Sequence, residues 1–441
     1  MHAVDSYTKT ILLLLFMLTA TRLWAQSPLR ANDPEQLNFR QREIYRFDAA
    51  FNTSARTDLI QEQGAPSQTS GNPTSGWRGS PPFKQAFDTQ SFLKDYGVSF
   101  SGWLQLDGST VASGGLPNAL PFDGQYLLDF ATTIDTKNLF GLPGGTALVD
   151  VQVHNGPNII GRQFLPIQDP DNQDAYQQAS VDRAWYQQDL LNHKVQLQVG
   201  LLYGDDKFLT VPYGENFVSL NFSSDASIST FVLPTFPKGA FGGNAFVLPI
   251  KGLYFSGLVL NDHSTELTYD PGGELYLTEE GWESSWHGLP YKLQIGAWKD
   301  TGKFQRFQGG VVDHASGEYL VASQKLWQPE LKGDRGLGMF FQFGTAPAEV
   351  AVVRKHIGAG VTWTGPAASR PKDEIGVAFS DSLLTAQSNF KHGFENEFEA
   401  YYQIDASHGL TIQPDVEYWQ NPGGGTTPNT FLVLTRIQYT F

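Results

Sequence analysis

The chain closes on Asn429-Thr-Phe-Leu-Val-Leu-Thr-Arg-Ile-Gln-Tyr-Thr-Phe441. Successive side chains of a strand point to opposite faces of the sheet. Phe431, Val433, Ile437, Tyr439 and Phe441 therefore share one face, and Arg436, Gln438 and Thr440 share the other. An apolar outer face, an arginine within and a terminal phenylalanine are what the closing strand of an outer-membrane barrel requires.

The opposite end of the chain agrees. Lys9 precedes an apolar run from Ile11 to Ala20, and Leu23-Trp24-Ala25 sets a small residue before Gln26. This is the layout of a secretory signal over residues 1–25, cleaved after Ala25. The apolar run is too short to cross a bilayer as a helix. With no cysteine in the chain, cysteine-linked lipid anchors, disulfides and thiolate metal sites are excluded.

Composition narrows the class. No stretch after the leader approaches the apolar length of a transmembrane helix. Forty-five glycines, 13% aromatic and only 17% charged residues describe a glycine- and aromatic-rich β protein. The formal charge of −15 and the lack of any basic run argue against nucleic acid as a partner, because phosphate contacts need clustered Lys and Arg.

Two regions follow the leader. Residues 26–95 are polar and irregular, and the stretch from Gln63 to Gly76 is dominated by Gly, Pro, Ser, Thr, Asn and Gln. It buries too little apolar surface to order itself, so a partly disordered extension is expected, with a short polar helix near Arg40–Arg46. Residues 96–441 instead carry alternating segments separated by Gly, Pro, Asn and Asp clusters. Leu104 and Leu106 oppose Trp103, Gln105 and Asp107; Tyr126, Leu128 and Phe130 oppose Gln125 and Asp129; Val149, Val151 and Val153 oppose Asp150, Gln152 and His154. Val195, Leu197, Val199, Leu201 and Tyr203 form another apolar face, and Phe398, Ala400 and Tyr402 oppose Glu395, Glu397 and Glu399.

Such alternation also fits a soluble sheet with one wet face. Aromatic residues near strand ends, short connections at 190–194 and 405–409, and long ones at 156–179 and 204–240 favour a membrane barrel. The expectation is an all-β, transmembrane antiparallel β-barrel of about sixteen strands, since single-chain bacterial barrels use even numbers. A barrel of that size leaves an aqueous channel.

Several stretches resemble the OprB-type carbohydrate-selective porins. They are Ala184-Trp-Tyr-Gln-Gln188 with Val195–Gly200; Tyr291–Trp298 with Thr301, Gly302 and Phe304; Val321–Trp327; and, most specifically, Glu395 through Gly423, where Leu410–Tyr418 leads to Asn421-Pro-Gly423. The family's tryptophan- and glycine-rich entry is faint here, as Trp77-Arg-Gly79 and Tyr96-Gly-Val98. The resemblance implies a sixteen-stranded outer-membrane channel for sugars, with glucose the usual substrate, and passive uptake of small neutral sugars. Porins by analogy suggest a homotrimer within outer-membrane lipid. A general diffusion porin, and a secreted glycan-binding β protein, stay open as alternatives.

Strand phase nominates lumen groups. A selective wall needs aromatic planes for the C–H faces of a sugar and charged or amide groups for its hydroxyls, arranged as several weak sites. The candidates are Trp103, Asp107, Asp129, Arg183, Trp185, Glu395, Glu397, Glu399, Trp419 and Arg436, although a polar wall is also the ordinary condition of a wet pore. Around Arg183 the phase conflicts: if Val181 faces lipid so does Arg183, and the opposite phase exposes Asp182, which a strand end near an interface, or a bulge, would resolve. The stretch from Tyr203 to Phe222 is a candidate constriction loop, with Lys207 and Glu215 lining it.

Enzymatic readings find no support. The nine histidines are scattered, no Gly-x-Ser-x-Gly motif is present and no His pair has metal-ligand spacing. Glu397 and Glu399 share a strand face at about 6.5–7 Å, a glycosidase-like separation, without a closed cleft to tune them. No cofactor and no metal are expected.

Overall fold

The structure, a computed structural model, describes Leu93 and residues 95–441 except 120–121, 156–159, 176, 262–272, 331–333 and 407. The leader at 1–25, the polar helix near 40–46 and nearly all of the 26–95 extension lie outside the described residues.

Eighteen strands follow in order: β1 (Val98–Ser113), β2 (Asp123–Asp135), β3 (Gly145–His154), β4 (Gln178–Leu190), β5 (Val195–Leu202), β6 (Ala240–Ile250), β7 (Leu253–Asn261), β8 (Glu274–Trp286), β9 (Leu289–Asp300), β10 (Phe304–Gln305), β11 (Val311–Val312), β12 (Ala315–Trp327), β13 (Gly336–Thr345), β14 (Val353–Thr364), β15 (Glu374–Leu384), β16 (Phe394–Asp405), β17 (Leu410–Gln420) and β18 (Thr430–Thr440). The short β10–β11 hairpin stands apart, and the other sixteen form one closed antiparallel barrel. Closure joins β18 to β1, with Asp107 opposite Arg436 and Trp103 opposite Thr440. Phe441 completes the seam by donating its N–H to the Gly102 carbonyl at 2.9 Å and accepting from the Gly102 N–H at 3.1 Å. The seam thus lies where the terminal alternation places it.

The outer wall is apolar. Val199, Ile295 and Val377 are each more than half exposed, and Phe431, Val433, Ile437, Tyr439 and Phe441 all point outward. Among the described residues no helix is long and apolar enough to cross a membrane. The strands cross instead, and closure leaves no backbone edge unpaired in lipid.

Two connections turn inward and fill much of the barrel. They are the described residues of 155–177, between β3 and β4, and residues 203–239, between β5 and β6. Phe208, Leu209, Val211, Phe217, Leu220, Phe222, Ile228 and Phe231 of the second loop pack on Leu258, Leu260, Leu275, Leu277, Trp298, Phe340 and Tyr401 of the inner wall. Phe217 lies with its centroid 4.9 Å from both Phe222 and Tyr401 and 5.9 Å from Phe340.

Two details of phase differ from the alternating pattern. Tyr203 is not on the lipid face with Val195–Leu201: β5 ends at Leu202, and the chain turns Tyr203 inward, where it is buried with Trp103 and Phe236. On β4, Asp150 pairs with Arg183 but Val151 with Val181, so Asp182 is an inserted residue. This β-bulge turns both Asp182 and Arg183 to the interior and removes the conflict of phase.

Phe217→Ala is expected to remove about 3–5 kcal/mol from the seating of the 203–239 loop, as for other buried aromatics. Limited proteolysis of refolded protein checks this, with faster cleavage inside the loop while the barrel keeps its heat-modifiable gel mobility.

Candidate functional site

A loop buried inside a barrel carries backbone groups that water cannot satisfy, so the inner wall must supply partners. It does so largely with carboxylates. Glu395 accepts the N–H groups of Ile167 at 2.9 Å, Gln168 at 3.2 Å and Gly423 at 2.6 Å. Glu399 accepts from the N–H groups of Val218 at 2.6 Å and Ser219 at 3.1 Å. Glu397 accepts from the Ser219 hydroxyl at 2.8 Å and from the Asn221 side-chain amide. Across the barrel, Glu279 accepts from the Leu209 N–H at 3.0 Å and from the hydroxyls of Tyr254 at 2.7 Å and Tyr319 at 2.9 Å. The two tyrosines reach it by lying over Gly281 and Gly296, where a Cβ would fall 1.9 and 2.1 Å from their rings. The loops also join each other, through the Asn172 N–H and the Val218 carbonyl at 2.8 Å.

Two arginines complete the seating. Arg436 donates to Asp107 at 2.7 Å, to Asp171 at 3.0 Å and to Asn172 at 2.8 Å, tying the barrel seam to the 155–177 loop. Gln125 holds the same loop through Asp171 and Asp174, each at 2.7 Å. Arg183 donates to Asp150 at 2.8 Å and to Asp206 at 3.1 Å, and stacks 5.1 Å over Tyr203. Asp129 accepts from Gln152 at 2.7 Å and lies 3.9 Å from the Arg183 guanidinium.

All ten residues nominated from strand phase face the barrel interior. Nine of them, namely Trp103, Asp107, Asp129, Arg183, Glu395, Glu397, Glu399, Trp419 and Arg436, are no more than 7% exposed, covered by the inward loops. Trp419 packs edge-on to Phe164 of the 155–177 loop at 5.5 Å and donates its ring N–H to Glu417 at 2.7 Å. Trp185 is partly open and packs against the loop core.

The side chains left open to the lumen come mainly from the tip of the second loop and the strand ends around it. Lys207 donates to Gln187 at 2.6 Å, and Lys292 donates to Thr210 at 2.7 Å and lies 3.8 Å from Glu283. Behind these, the nearly buried Lys325 sits 5.8 Å over the Tyr213 ring, and the exposed Asn216 donates to Glu374 at 2.8 Å. Lys207 and Glu215 are the two residues that sequence placed here; both are half-buried at the loop surface. Burial pushes the Glu215 carboxyl up to about 8; Lys292 pulls it down and Glu374 pushes it further up. Sequence reasoning did not single out Tyr213, inside the stretch it read as a constriction loop, nor Lys292, Lys325 and Glu374 on β9, β12 and β15. The wide polar–aromatic spacing of Pro212-Tyr-Gly-Glu-Asn216 was the available signal.

The model of the carbohydrate-selective porin, OprB family, matches residues 123–441. Porin B of Pseudomonas aeruginosa is 26% identical over 147 residues, which cover 28% of this chain and 32% of that protein, so the match spans about a third of its length. The putative porin QuiX of Acinetobacter baylyi is 20% identical over 356 residues, covering 73% of this chain and 79% of that protein. Among solved structures, the high-pH structure of Pseudomonas putida OprB superimposes with a TM-score of 0.74 at 16% identity, over 81% of this chain and 97% of that one. Its low-pH structure gives a TM-score of 0.54 over the same shares at 14% identity. At those identities the likeness is one of fold, and both fold and family are those of a channel. A closed sixteen-stranded barrel with inward loops and a family match over most of its length identify the chain as an outer-membrane β-barrel belonging to the OprB family of carbohydrate-selective porins.

Proposed function

We propose that the channel passes small neutral sugars, monosaccharides such as glucose, by passive diffusion into the periplasm. The observation that carries this reading is the half-open group at the loop, where the Tyr213 plane stands under Lys325 and beside Glu374, and Glu215 lies between Lys292 and Glu374. An aromatic plane suits the C–H face of a sugar, and cations and carboxylates around it suit the hydroxyl edge. Trp103, Asp107, Asp129, Arg183, Glu395, Glu397, Glu399, Trp419 and Arg436 act one step back, by fixing the loops that carry these groups, and Trp185 packs against the core of the second loop.

We infer from porin analogy that the chain works as a homotrimer. Glu280 supports a protein contact on the outer wall. It points outward from the middle of β8, between Phe255 and Ile295 on the neighbouring strands. A carboxylate at that depth is costly against lipid and is better matched by another chain.

Liposome swelling with refolded mature protein tests the sugar reading. Glucose is expected to enter faster than a neutral non-sugar and an amino acid of matched size. Tyr213→Ala with Lys292→Ala should cut glucose entry by roughly tenfold, as loss of a charge-assisted hydrogen bond and its aromatic platform implies. Equal rates for every solute would make the chain a general diffusion porin.

The charge of this group should also follow pH. Glu215 is protonated below about 8 and ionised above it. Reversal potentials in planar bilayers should therefore shift toward cation selectivity as pH rises from about 7 to 9. Glu215→Gln should flatten that change, and an identical profile in the variant would remove Glu215 from the conducting path.

A further inference from the structure

Behind the loop, the barrel wall gathers more negative charge than its hydrogen bonds account for. Glu397, Glu399 and Glu417 each bring a carboxylate oxygen within 4.8 Å of the other two. Glu397 and Glu399 are two residues apart on β16, and Glu417 faces Glu399 across the β16–β17 ladder. All three are at most 1% exposed. Asp415 and Asp171 lie close enough to add to the same field. Among the described residues, the cation facing this group is Arg436, which is already held by Asp107 and Asp171.

The oxygens that seat the loop do not use the whole donor set. Glu397 Oε1 and Glu417 Oε1 have no hydrogen-bond partner among the described residues. Asn221 lies against the group, since its Nδ2 donates to Glu397, and the Oδ1 of the same amide, on a residue 2% exposed, is likewise without a hydrogen-bond partner. Buried anions without counter-charge are strongly unfavourable, whereas anionic and amide oxygens without sulfur or imidazole form a hard-cation set.

We propose that Glu397, Glu399, Glu417 and Asn221 bind a Ca2+ ion between the barrel wall and the constriction loop. Calcium accepts an irregular oxygen cage, whereas magnesium keeps an ordered octahedral water shell for which this enclosed site leaves little room. Asn221 is brought to the site only when the 203–239 loop is seated, so the ion binds the closed arrangement and stabilises it by linkage. The site is independent of which solute passes through the lumen.

The test is calcium equilibrium dialysis and Tb3+ luminescence on the refolded full chain. Trp419 bonds Glu417 directly and should sensitise Tb3+ held at the site. One Ca2+ bound per chain is expected, with a sensitised Tb3+ signal that Ca2+ displaces and Mg2+ does not. Glu397→Gln with Glu417→Gln should weaken binding by about tenfold or more, comparable to other losses from a metal site. Heat-modifiable mobility shows that the variant barrel is intact. Unchanged affinity in the variant would overturn the proposal. So would the absence of bound Ca2+ in the unmutated chain, a result that does not depend on the variant folding. In that case, protonated carboxyl bands in the infrared spectrum at neutral pH would show protons in the ion's place.

Discussion

Everything inside this barrel depends on how the backbone of two long connections is satisfied once they leave water. A connection on the surface hands its N–H groups to solvent, but one folded through a lumen must find acceptors in the wall. Here the acceptors are charged. Glu279, Glu395 and Glu399 take backbone N–H groups of the inward loops at 2.6 to 3.2 Å. Charge-assisted bonds of this kind are about twice as strong as neutral ones. They also fix the loop in one register, because each carboxylate meets particular residues.

The inner wall is therefore divided by task. Its acidic side, on β16 and β17, receives polar backbone and the Arg436 network of the seam. The opposite side, on β7 to β9 and β12 to β13, is mostly apolar around the single carboxylate of Glu279 and receives Phe208, Leu209, Phe231 and their neighbours. A loop clamped between a polar and an apolar wall is held in position without blocking the tip. Tyr213, Glu215 and Asn216 project from it into the remaining opening, where they meet Lys325 and Glu374. Selectivity is then set by a few residues on a rigid support, the usual division between scaffold and loop.

The barrel was largely legible in sequence. Strands such as β1, β2, β3, β16 and β18 face lipid on one side and polar interior on the other, so a period of two survives in them. The phase of Glu395, Glu397, Glu399 and Arg436 was legible for the same reason. What was not legible is that these residues are covered. Alternation reports which face a side chain takes, and is silent on whether water or a loop lies against it. The apolar inner wall was hidden by a related effect. In β7, Tyr254, Leu258 and Leu260 face inward while Phe255 and Val259 face outward, so both faces are apolar and no alternation remains. The bulge at Asp182 was visible only as a contradiction of phase, and Tyr203 misled because the strand ends one residue before it.

The most direct test of this account is single-channel conductance of refolded protein carrying Glu395→Ala and Glu399→Ala together. Removing five backbone acceptor contacts should release the inward loops from the wall while the sixteen-stranded barrel stays closed. The account predicts a larger and noisier conductance than the unmutated channel, with unchanged heat-modifiable mobility. The same conductance and the same noise in the variant would contradict it, because the loops would then keep their place without the wall carboxylates.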